Sequence, residues 1–315
     1  MADPSPAPAS PGTIAVVIAT CRHDGGIARA AASVLASRYR ALQLTVVDQS
    51  GGNDVARALR HLAGDPRLRH LHAPDRGLAA ARNIGVAASS APIIAFTDDD
   101  CEVDVGWLHG VAAAFAHDAR IGVVFGAVPA ALYDRTAGFI PAYSVARPFT
   151  ARGVQDKAHV EGIGACMAVR RSTWEKLGGF DEQYGAGAPL RAGEDSDFAM
   201  RALIAGRWVH ETPDAVVRHR GFRTWSEGPG LIEGYMFGLG AANAKMFRMG
   251  GARALIPIAQ LAWRWLAGSP VVDLNHRPPQ IARLRPFLRG AWLALRTPLD
   301  RETGRLMPGP RLDDP

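Results

Sequence analysis

The sequence predicts an α/β fold in which a mostly parallel central sheet is flanked by helices. Apolar, β-branched runs alternate with Ala-rich segments of helical character, which is the pattern of parallel strands joined by helical crossovers. The first run, TIAVVIAT at residues 13–20, has no polar side chain between its two threonines, as expected of a strand buried on both faces. With 315 residues, the chain can form one large domain or a core domain with an appendage.

The remaining elements follow in chain order from the same patterns. Strands are predicted at residues 42–47, 68–72, 92–97, 122–128, 161–170 and 208–217. Helices are predicted at residues 27–37, 78–88, 172–177 and 198–205, with one more that ends at 63 and one that begins near 107. Residues 129–160 look irregular and are interpreted as a mobile excursion near the active face. No GxGxxG follows the first strand, which disfavours a dinucleotide site.

Charge and cysteine content narrow the partners and the compartment. A formal charge of +6 favours anionic partners such as nucleotides or an anionic lipid surface. Nucleic acid is not expected, because no segment interleaves basic and aromatic residues. The three cysteines form no CxxC pair, which favours a reducing compartment. Residues 1–12 are interpreted as a disordered lead, and no apolar run reaches the roughly 20 residues of a membrane span, so a cytoplasmic location is expected.

A basic helical extension is predicted at residues 229–315, after an α/β domain at residues 13–228. In its last helical segment, near residues 280–296, apolar residues recur at helical spacing among arginines. Such a helix can lie on an anionic membrane surface, which would make the protein peripheral at the inner face of the membrane. It can equally pack on its own domain with a solvated basic face, and both interpretations stay open.

Three consecutive carboxylates, Asp98, Asp99 and Asp100, end the fourth apolar run. Neighbouring carboxylates repel one another, so such a group favours a bound cation. Oxygen ligands at the carboxyl end of a strand suit Mg²⁺ or Mn²⁺, and in open α/β sheets ligands bind at that edge. In an extended segment, Asp98 and Asp100 would point to one side and Asp99 to the other. A solvated acidic turn is the alternative.

Taken in order, six landmarks resemble the family 2 glycosyltransferases, which have a GT-A fold. They are Ile18-Ala19-Thr20, Val46–Ser50 with Asn53-Asp54, Gly77–Gly85, Asp98–Asp100, Gly179–Glu182 and Gly193–Asp197. The resemblance covers about residues 13 to 225. The Val-Asp-Asp-Gly-Ser form common in the family is here Val47-Asp48-Gln49-Ser50, which weakens inference about the base contact. The Gln-x-x-Arg-Trp signature of processive members is absent from the sequence, so transfer of a single sugar is expected.

The resemblance implies a role for individual residues. Thr20, Asp48 and Arg82 would contact the base of the nucleotide-sugar donor. Asp98 would contact the ribose and Asp99 the sugar. Arg76 would be a weaker contact of the diphosphate. The metal, Mg²⁺ or Mn²⁺, would be held by Asp100 and His219. A helix-surface charge is the alternative for Arg82, and a structural role is the alternative for His219.

Asp195 is the candidate catalytic base, and Glu194 would orient either Asp195 or the acceptor. Asp195 falls in the predicted first turn of a helix, where the helix dipole favours the ionised form of a carboxyl group. A carboxylate beside the acceptor hydroxyl can remove its proton while the hydroxyl attacks opposite the leaving group, so inversion is predicted. A helix cap is the alternative for Asp195. Trp225 either stacks on a sugar or belongs to the core.

The predicted function is therefore transfer of one sugar from a nucleotide-diphosphate donor to a hydroxyl acceptor. A UDP-sugar is the first expectation, with GDP-mannose and dTDP-rhamnose as alternatives. The acceptor would be a glycan, a lipid-linked glycan or a small molecule. Two other functions stay open, a sugar-nucleotide pyrophosphorylase and a non-catalytic nucleotide-sugar-binding scaffold, although residues 20–26 match the pyrophosphorylase loop poorly.

Overall fold

A computed structural model describes residues 12–21, 26–74, 77–266 and 280–307. The predicted N-terminal lead, apart from Gly12, and the predicted donor residue Arg76 lie outside the described residues. The strands are β1 (Ile14–Thr20), β2 (Leu42–Asp48), β3 (Leu68–His72), β4 (Ile93–Asp98), β5 (Cys101–Val103), β6 (Ile121–Ala127), β7 (Gly138–Phe139), β8 (Phe149–Ala151), β9 (Met167–Arg170), β10 (Trp208–His219) and β11 (Arg223–Thr224). The helices are α1 (Gly26–Leu35), α2 (Asp54–Leu59), α3 (Leu78–Ala87), α4 (Trp107–His117), α5 (Arg171–Leu177), α6 (Glu194–Ile204), α7 (Gly228–Gly250), α8 (Leu255–Leu266) and α9 (Gln280–Arg296).

One large sheet forms the centre of the structure. Its strand order is β3-β2-β1-β4-β9-β6-β10-β5, and β8 pairs with β10. The first four strands in this order are all parallel, and β6 is parallel to β10. Strand β1 is buried along its whole length, because apolar residues cover both faces of the sheet. The predicted α/β architecture with a mostly parallel central sheet is confirmed.

The strand predicted at residues 161–170 is shorter than expected. Only Met167–Arg170 forms a strand, and it runs antiparallel between β4 and β6 after a 3-10 turn at Gly164–Cys166. The glycines of this segment do not provide room for a ligand. A Cβ on Gly162 would lie 2.1 Å from the Phe125 ring, and one on Gly164 would lie 2.8 Å from Arg82 Nη1. These glycines therefore make space for two side chains of the protein itself.

The excursion at residues 129–160 contains more regular structure than predicted. It includes β7, β8 and a 3-10 turn at Val154–His159, and β8 pairs with β10. Its end is held by Glu211, whose Oε1 accepts hydrogen bonds from the Tyr143 hydroxyl at 2.7 Å and the Glu161 amide at 3.0 Å.

The C-terminal helices pack on the α/β domain and on each other. A Cβ on Gly240 of α7 would lie 1.9 Å from the Phe287 carbonyl oxygen of α9, so only glycine permits this close crossing. Phe237 and Met246 of α7, together with Ala294 of α9, belong to the main hydrophobic core. Among the described residues, no helix is both long and apolar enough to cross a membrane.

A buried ionic network joins α6 to α7 and to the loop before α6. Lys245 Nζ lies 2.5 Å from Asp181 Oδ2 and 2.7 Å from Asp197 Oδ1. Arg201 Nε donates to the other oxygen of Asp197 at 2.9 Å, and the Leu306 amide donates to Asp181. This network holds α6 against α7 and against the loop that contains Asp181.

Replacing Lys245 by Met should lower the free energy of unfolding by about 3–5 kcal/mol. The change leaves Asp181 and part of Asp197 as buried charges without their cation, which costs about that much in proteins. Denaturant unfolding followed by circular dichroism measures the difference. Lys176→Met is the matched control, because Lys176 is exposed and a surface substitution changes stability by no more than about 0.5 kcal/mol. If the two variants were equally stable, Lys245 would not be a stabilising member of the buried ionic network.

Candidate active site

The carboxyl ends of β1, β2 and β4 meet at one edge of the sheet. The parallel register places Thr20 beside Asp48 and Ala19 beside Asp98. Thr20 and Asp48 are almost fully buried. This edge is where α/β proteins bind their ligands, because the strand order changes direction there. The fold thus brings three of the predicted donor-binding residues together.

The three carboxylates of the acid triplet face three different partners. Strand β4 ends at Asp98, and Asp99 and Asp100 form the turn before β5. Asp98 Oδ1 accepts a hydrogen bond from Arg82 Nη2 at 2.7 Å, and Asp99 Oδ2 accepts one from the Thr20 hydroxyl at 2.6 Å. The expectation of strict alternation along an extended segment was wrong, because the chain turns after Asp98.

Asp100 and His219 face each other across the pairing of β5 with β10. His219 Nε2 lies 3.2 Å from Asp100 Oδ1, and His219 Nδ1 donates to the Pro141 carbonyl oxygen at 2.7 Å. That second bond places a proton on Nδ1 and orients the ring so that Nε2 faces Asp100. Burial by itself would lower the pKa of His219, but the hydrogen bond that Asp100 accepts, the negative charge of Asp100 and the bond to Pro141 together outweigh burial, and the pKa is raised.

The surroundings of Asp100 fit a divalent ion. One oxygen of Asp100, Cys101 Sγ and a nitrogen of His219 all lie within 4.8 Å of one another. A Cβ on Gly221 would lie 2.3 Å from Asp100 Oδ2, so a larger residue at this position would displace the carboxylate. A carboxylate and an imidazole that is oriented by a backbone carbonyl form a suitable partial ligand set for Mn²⁺ or Mg²⁺, which also takes phosphate oxygens and water.

Arg82 connects the acid triplet with the start of α6. Its side chain is 1% exposed, and Nη1 donates to Glu194 Oε1 at 2.9 Å while Nη2 donates to Asp98. The guanidinium group also lies over the rings of Phe96 and Phe180. The alternative of a helix-surface charge is therefore wrong. Both terminal nitrogens of Arg82 contact carboxylates, so the residue holds two acidic segments in a fixed relation.

Helix α6 begins at Glu194, so the predicted place of Asp195 in a first turn is confirmed. Asp195 Oδ2 accepts a hydrogen bond from the Gly164 amide at 2.7 Å, and Oδ1 accepts one from the Ser196 amide at 2.6 Å. Burial raises the pKa of Asp195, and it raises the pKa of Glu194 to about 7. The expectation that the helix dipole would favour the ionised form was incomplete, because desolvation outweighs it.

Asp48 is an oriented hydrogen-bond acceptor at the end of β2. Its Oδ1 accepts hydrogen bonds from the Ser50 amide at 2.8 Å and the Ser50 hydroxyl at 2.6 Å. Burial raises the pKa of Asp48, but the bonds from Ser50 and the contact with His70 together outweigh burial, and the pKa is lowered. Gln49, which replaces the usual acidic residue, donates through Nε2 to the Pro74 carbonyl at 2.7 Å and so fixes the following loop.

Trp225 has a structural environment. Its Nε1 donates to the carbonyl oxygens of Arg135 and Thr136, and its ring packs on Phe139 with centroids 5.3 Å apart. The ring is half-buried and anchors the segment before α7. Of the two interpretations open for Trp225, these contacts favour the packing role.

Sequence reasoning missed four residues that contribute to the site at this edge of the sheet. The Gly164 amide is a backbone group that reaches Asp195 from a distant segment, so no local signal marks it. His70 and His72 lie beside Asp48, and their alternation along a predicted strand was a visible signal. Gly221 beside Asp100 was visible only as one glycine among many.

Comparison with curated proteins supplies named relatives. The chain is 27% identical over 215 residues to a "Pre-mycofactocin glycosyltransferase" of Mycobacterium tuberculosis, which covers 65% of this chain and 42% of that protein. It is 30% identical over 212 residues to the "Succinoglycan biosynthesis protein ExoU" of Rhizobium meliloti, which covers 63% of this chain and 59% of that protein. The chain thus spans less than half the length of the first relative and less than two thirds of the second.

Solved structures share the fold. The mannosyltransferase PcManGT from Pyrobaculum calidifontis, in complex with GDP-Man and Mn²⁺, matches with a TM-score of 0.58 at 21% identity, over 93% of this chain and 83% of that one. Residues 1–349 of S. aureus TarS match with a TM-score of 0.59 at 14% identity, over 89% of this chain and 81% of that one. At these identities the similarity establishes a common GT-A architecture.

The sequence model of "Glycosyl transferase family 2" matches residues 15–178, which is just over half of the chain. The match includes Thr20, Asp48, Arg82 and the acid triplet, and it ends before Glu194. The chain therefore belongs to glycosyl transferase family 2.

Proposed function

We propose that this protein is an inverting glycosyltransferase that moves one sugar from a nucleotide-diphosphate donor to a hydroxyl acceptor. The observation that carries this proposal is the bridge made by Arg82 between Asp98 and Glu194. This bridge links the acid triplet, which is expected to bind the donor and the metal, with the start of α6, which is expected to remove the acceptor's proton. Family membership and the glycosyltransferase relatives support the same reaction class.

In the proposed reaction, the acceptor hydroxyl lies beside Asp195. Its oxygen forms a bond to the anomeric carbon while the Asp195 carboxylate takes the proton, and the bond to the diphosphate oxygen breaks with its electron pair. Attack opposite the leaving group inverts the anomeric centre. The raised pKa of Asp195 increases its affinity for the proton, and Glu194, held by Arg82, positions the start of the helix.

Asp48 is the proposed contact of the nucleotide base. Its carboxylate is ionised and oriented by Ser50, so it can accept a hydrogen bond from the imide N–H of uracil. The neighbour PcManGT was solved with GDP-Man, so GDP-mannose is the second donor to test, followed by dTDP-rhamnose. Thr20 is proposed to line the base pocket, and its hydroxyl donates to Asp99, the proposed sugar contact.

Asp100 and His219 are the proposed ligands of Mg²⁺ or Mn²⁺. The metal would neutralise the charge that develops on the departing diphosphate. The orientation of His219 by Pro141 and the space left by Gly221 support this assignment. The neighbour PcManGT was solved as a complex with Mn²⁺, which supports the choice of ion.

A donor screen tests the proposed function. The purified protein is titrated calorimetrically with UDP, GDP and dTDP, each with and without Mn²⁺, and the corresponding nucleotide sugars are then assayed for hydrolysis and transfer. We expect Mn²⁺-dependent binding of UDP and slow donor hydrolysis. Release of pyrophosphate from a nucleoside triphosphate and a sugar 1-phosphate would instead identify a pyrophosphorylase. Binding with no turnover on any acceptor class would identify a scaffold.

We also propose that α9 docks the protein on an anionic membrane surface at the inner face, where a lipid-linked acceptor would be reached. Leu288 and Trp292 of α9 are more than half exposed, and they line an open groove with Arg285 and Arg289. An apolar row flanked by arginines complements a lipid surface that carries negative charge. Phe287 and Gly290 of α9 approach the backbone of α7, and Phe237 of α7 lines the same groove.

The double variant Arg285→Glu/Arg289→Glu should weaken binding to anionic vesicles by at least about tenfold, since each basic residue near such a surface contributes about 1 kcal/mol. Sedimentation with vesicles that contain phosphatidylglycerol measures the loss, and neutral phosphatidylcholine vesicles give the baseline. Arg38→Glu/Arg40→Glu is the control. Both residues are exposed, and they belong to the segment between α1 and β2 instead of to α9. Equal binding of the two double variants would disprove the docking proposal.

A further inference from the structure

Two histidines lie beside Asp48 at the outer edge of the sheet. They belong to β3, the edge strand, and their spacing puts both side chains on one face of it. The register aligns His72 with Asp48. His70 Nε2 lies 3.1 Å from Asp48 Oδ2, and His72 Nδ1 lies 3.4 Å from the same oxygen. The two imidazole rings are 4.6 Å apart between centroids.

These distances match those between the ligands of a tetrahedral metal ion. Zn²⁺ binds imidazole nitrogen and carboxylate oxygen at about 2.0–2.1 Å, so two ligand atoms on a tetrahedron are separated by about 3.3 Å. The two nitrogen–oxygen distances, 3.1 and 3.4 Å, bracket that value. All three ligand atoms lie within 4.8 Å of one another. The three side chains therefore lie close enough to bind one ion together.

The supporting contacts favour a metal site with an open position. Both bonds from Ser50 go to Asp48 Oδ1, which orients the carboxylate so that Oδ2 faces the histidines. The Asp48 side chain is buried, whereas that of His72 is 58% exposed. Three protein ligands with a solvent-exposed side leave room for a fourth ligand, which is water or a molecule bound at this edge.

We propose that Asp48, His70 and His72 bind a divalent transition-metal ion, and that this ion is Zn²⁺ or one with the same ligand preference. Two imidazoles and one carboxylate suit Zn²⁺ better than Mg²⁺, which prefers oxygen ligands. The site is separate from the one assigned to Asp100 and His219, because it lies on the other side of β1 in the sheet order.

The site would also regulate donor binding, a consequence that rests on the proposed function. Asp48 is the proposed base contact, and an ion on its Oδ2 removes the acceptor that the base needs. Zn²⁺ and the nucleotide would then weaken each other's binding by the same factor.

Metal titration tests the site directly. The Asp100→Asn/His219→Ala background removes the other candidate site, and metal-free protein is titrated with Zn²⁺ against a chromophoric chelator. We expect one equivalent of Zn²⁺ to bind. Loss of a residue that only supports a metal ligand weakens metal affinity by roughly 10–100-fold, so His72→Ala, which removes a ligand, should weaken Zn²⁺ affinity by at least that factor. His61→Ala, at an exposed histidine outside the cluster, should bind Zn²⁺ as the background does. Equal affinity in all three proteins means adventitious binding and overturns the proposal.

Competition separates this proposal from the function on which its regulatory consequence rests. In the protein with Asp100 and His219 intact, UDP affinity in the presence of Mn²⁺ should fall as Zn²⁺ is added, and His70→Asn/His72→Ala should abolish the fall. If Zn²⁺ binds to the triad and UDP affinity does not change, the metal site stands and the regulatory role is overturned. If UDP binds and Zn²⁺ does not, the metal site is overturned and the proposed function stands. Circular dichroism of each variant verifies that it is folded.

Discussion

Replacing Asp195 by Asn should lower kcat for sugar transfer by about 10²–10⁴-fold, the usual contribution of a general base. Asn has the same shape and its carbonyl oxygen can still accept the bond from the Gly164 amide, but it cannot take the acceptor's proton. Binding of the donor nucleotide should not change, because the described contacts of Asp195 are with Gly164 and Ser196 rather than with the Asp48 pocket. Single-turnover kinetics and calorimetric titration with UDP and Mn²⁺ measure the two effects separately.

Asp104→Asn is the control for this substitution. Asp104 is exposed and accepts a hydrogen bond from the Gly106 amide before α4, so it resembles Asp195 as a carboxylate near a helix start. Its replacement should leave kcat unchanged. Retained turnover in the Asp195 variant would show that this residue is only a helix cap, and the general base would then have to be sought elsewhere.

The pH dependence of kcat provides a second signature of Asp195. A general base works in its unprotonated form, so kcat falls as the pH drops through its pKa. Burial raises the pKa of Asp195 above the ordinary value of an aspartate. The acid limb of the profile should therefore lie at higher pH than that of an exposed aspartate. The residual activity of the Asn variant should lack this limb, and a limb that persists would belong to another group.

Much of the fold was predictable because its signals are local. Strands β1 and β4 are mainly apolar runs, and the position of Asp195 in a first turn followed from a glycine and a cluster of acidic residues. Thr20, Asp48 and Asp98 each end a strand. Because the carboxyl ends of parallel strands meet at the same edge of a sheet, these three residues could be placed together at that edge.

The remaining features depend on contacts between segments that are distant in the chain. Nothing near Arg82 in sequence indicates that it pairs with Glu194, 112 residues later. The pKa of Asp195 depends on burial and on contacts with Gly164 and Arg82, which are distant from it in the chain. The short length of β9 has the same cause, because Gly162 and Gly164 are fitted around Phe125 and Arg82 instead of extending the strand.

Replacing Arg82 by Lys should lower both stability and turnover. Lys keeps the positive charge, but a single ammonium group cannot reproduce the two bonds of 2.9 and 2.7 Å that the guanidinium makes to Glu194 and Asp98. One carboxylate therefore loses its partner, and breaking such a pair costs up to about 3–5 kcal/mol when it is fully buried. Because the two acidic segments then shift, kcat should fall by about 100-fold, the cost of a displacement near 1 Å.

Arg201→Lys separates a loss of stability from a loss of site geometry. Arg201 is also buried, and it also pairs through its guanidinium with a carboxylate of α6, Asp197, while it donates to three backbone carbonyls. Both variants should unfold at lower denaturant concentration. Only Arg82→Lys should lose turnover per folded molecule when kcat is measured well below the unfolding transition. If the two variants lost activity in proportion to stability alone, Arg82 would be a core residue with no positioning role, and the bridge between Asp98 and Glu194 would no longer support the proposed function.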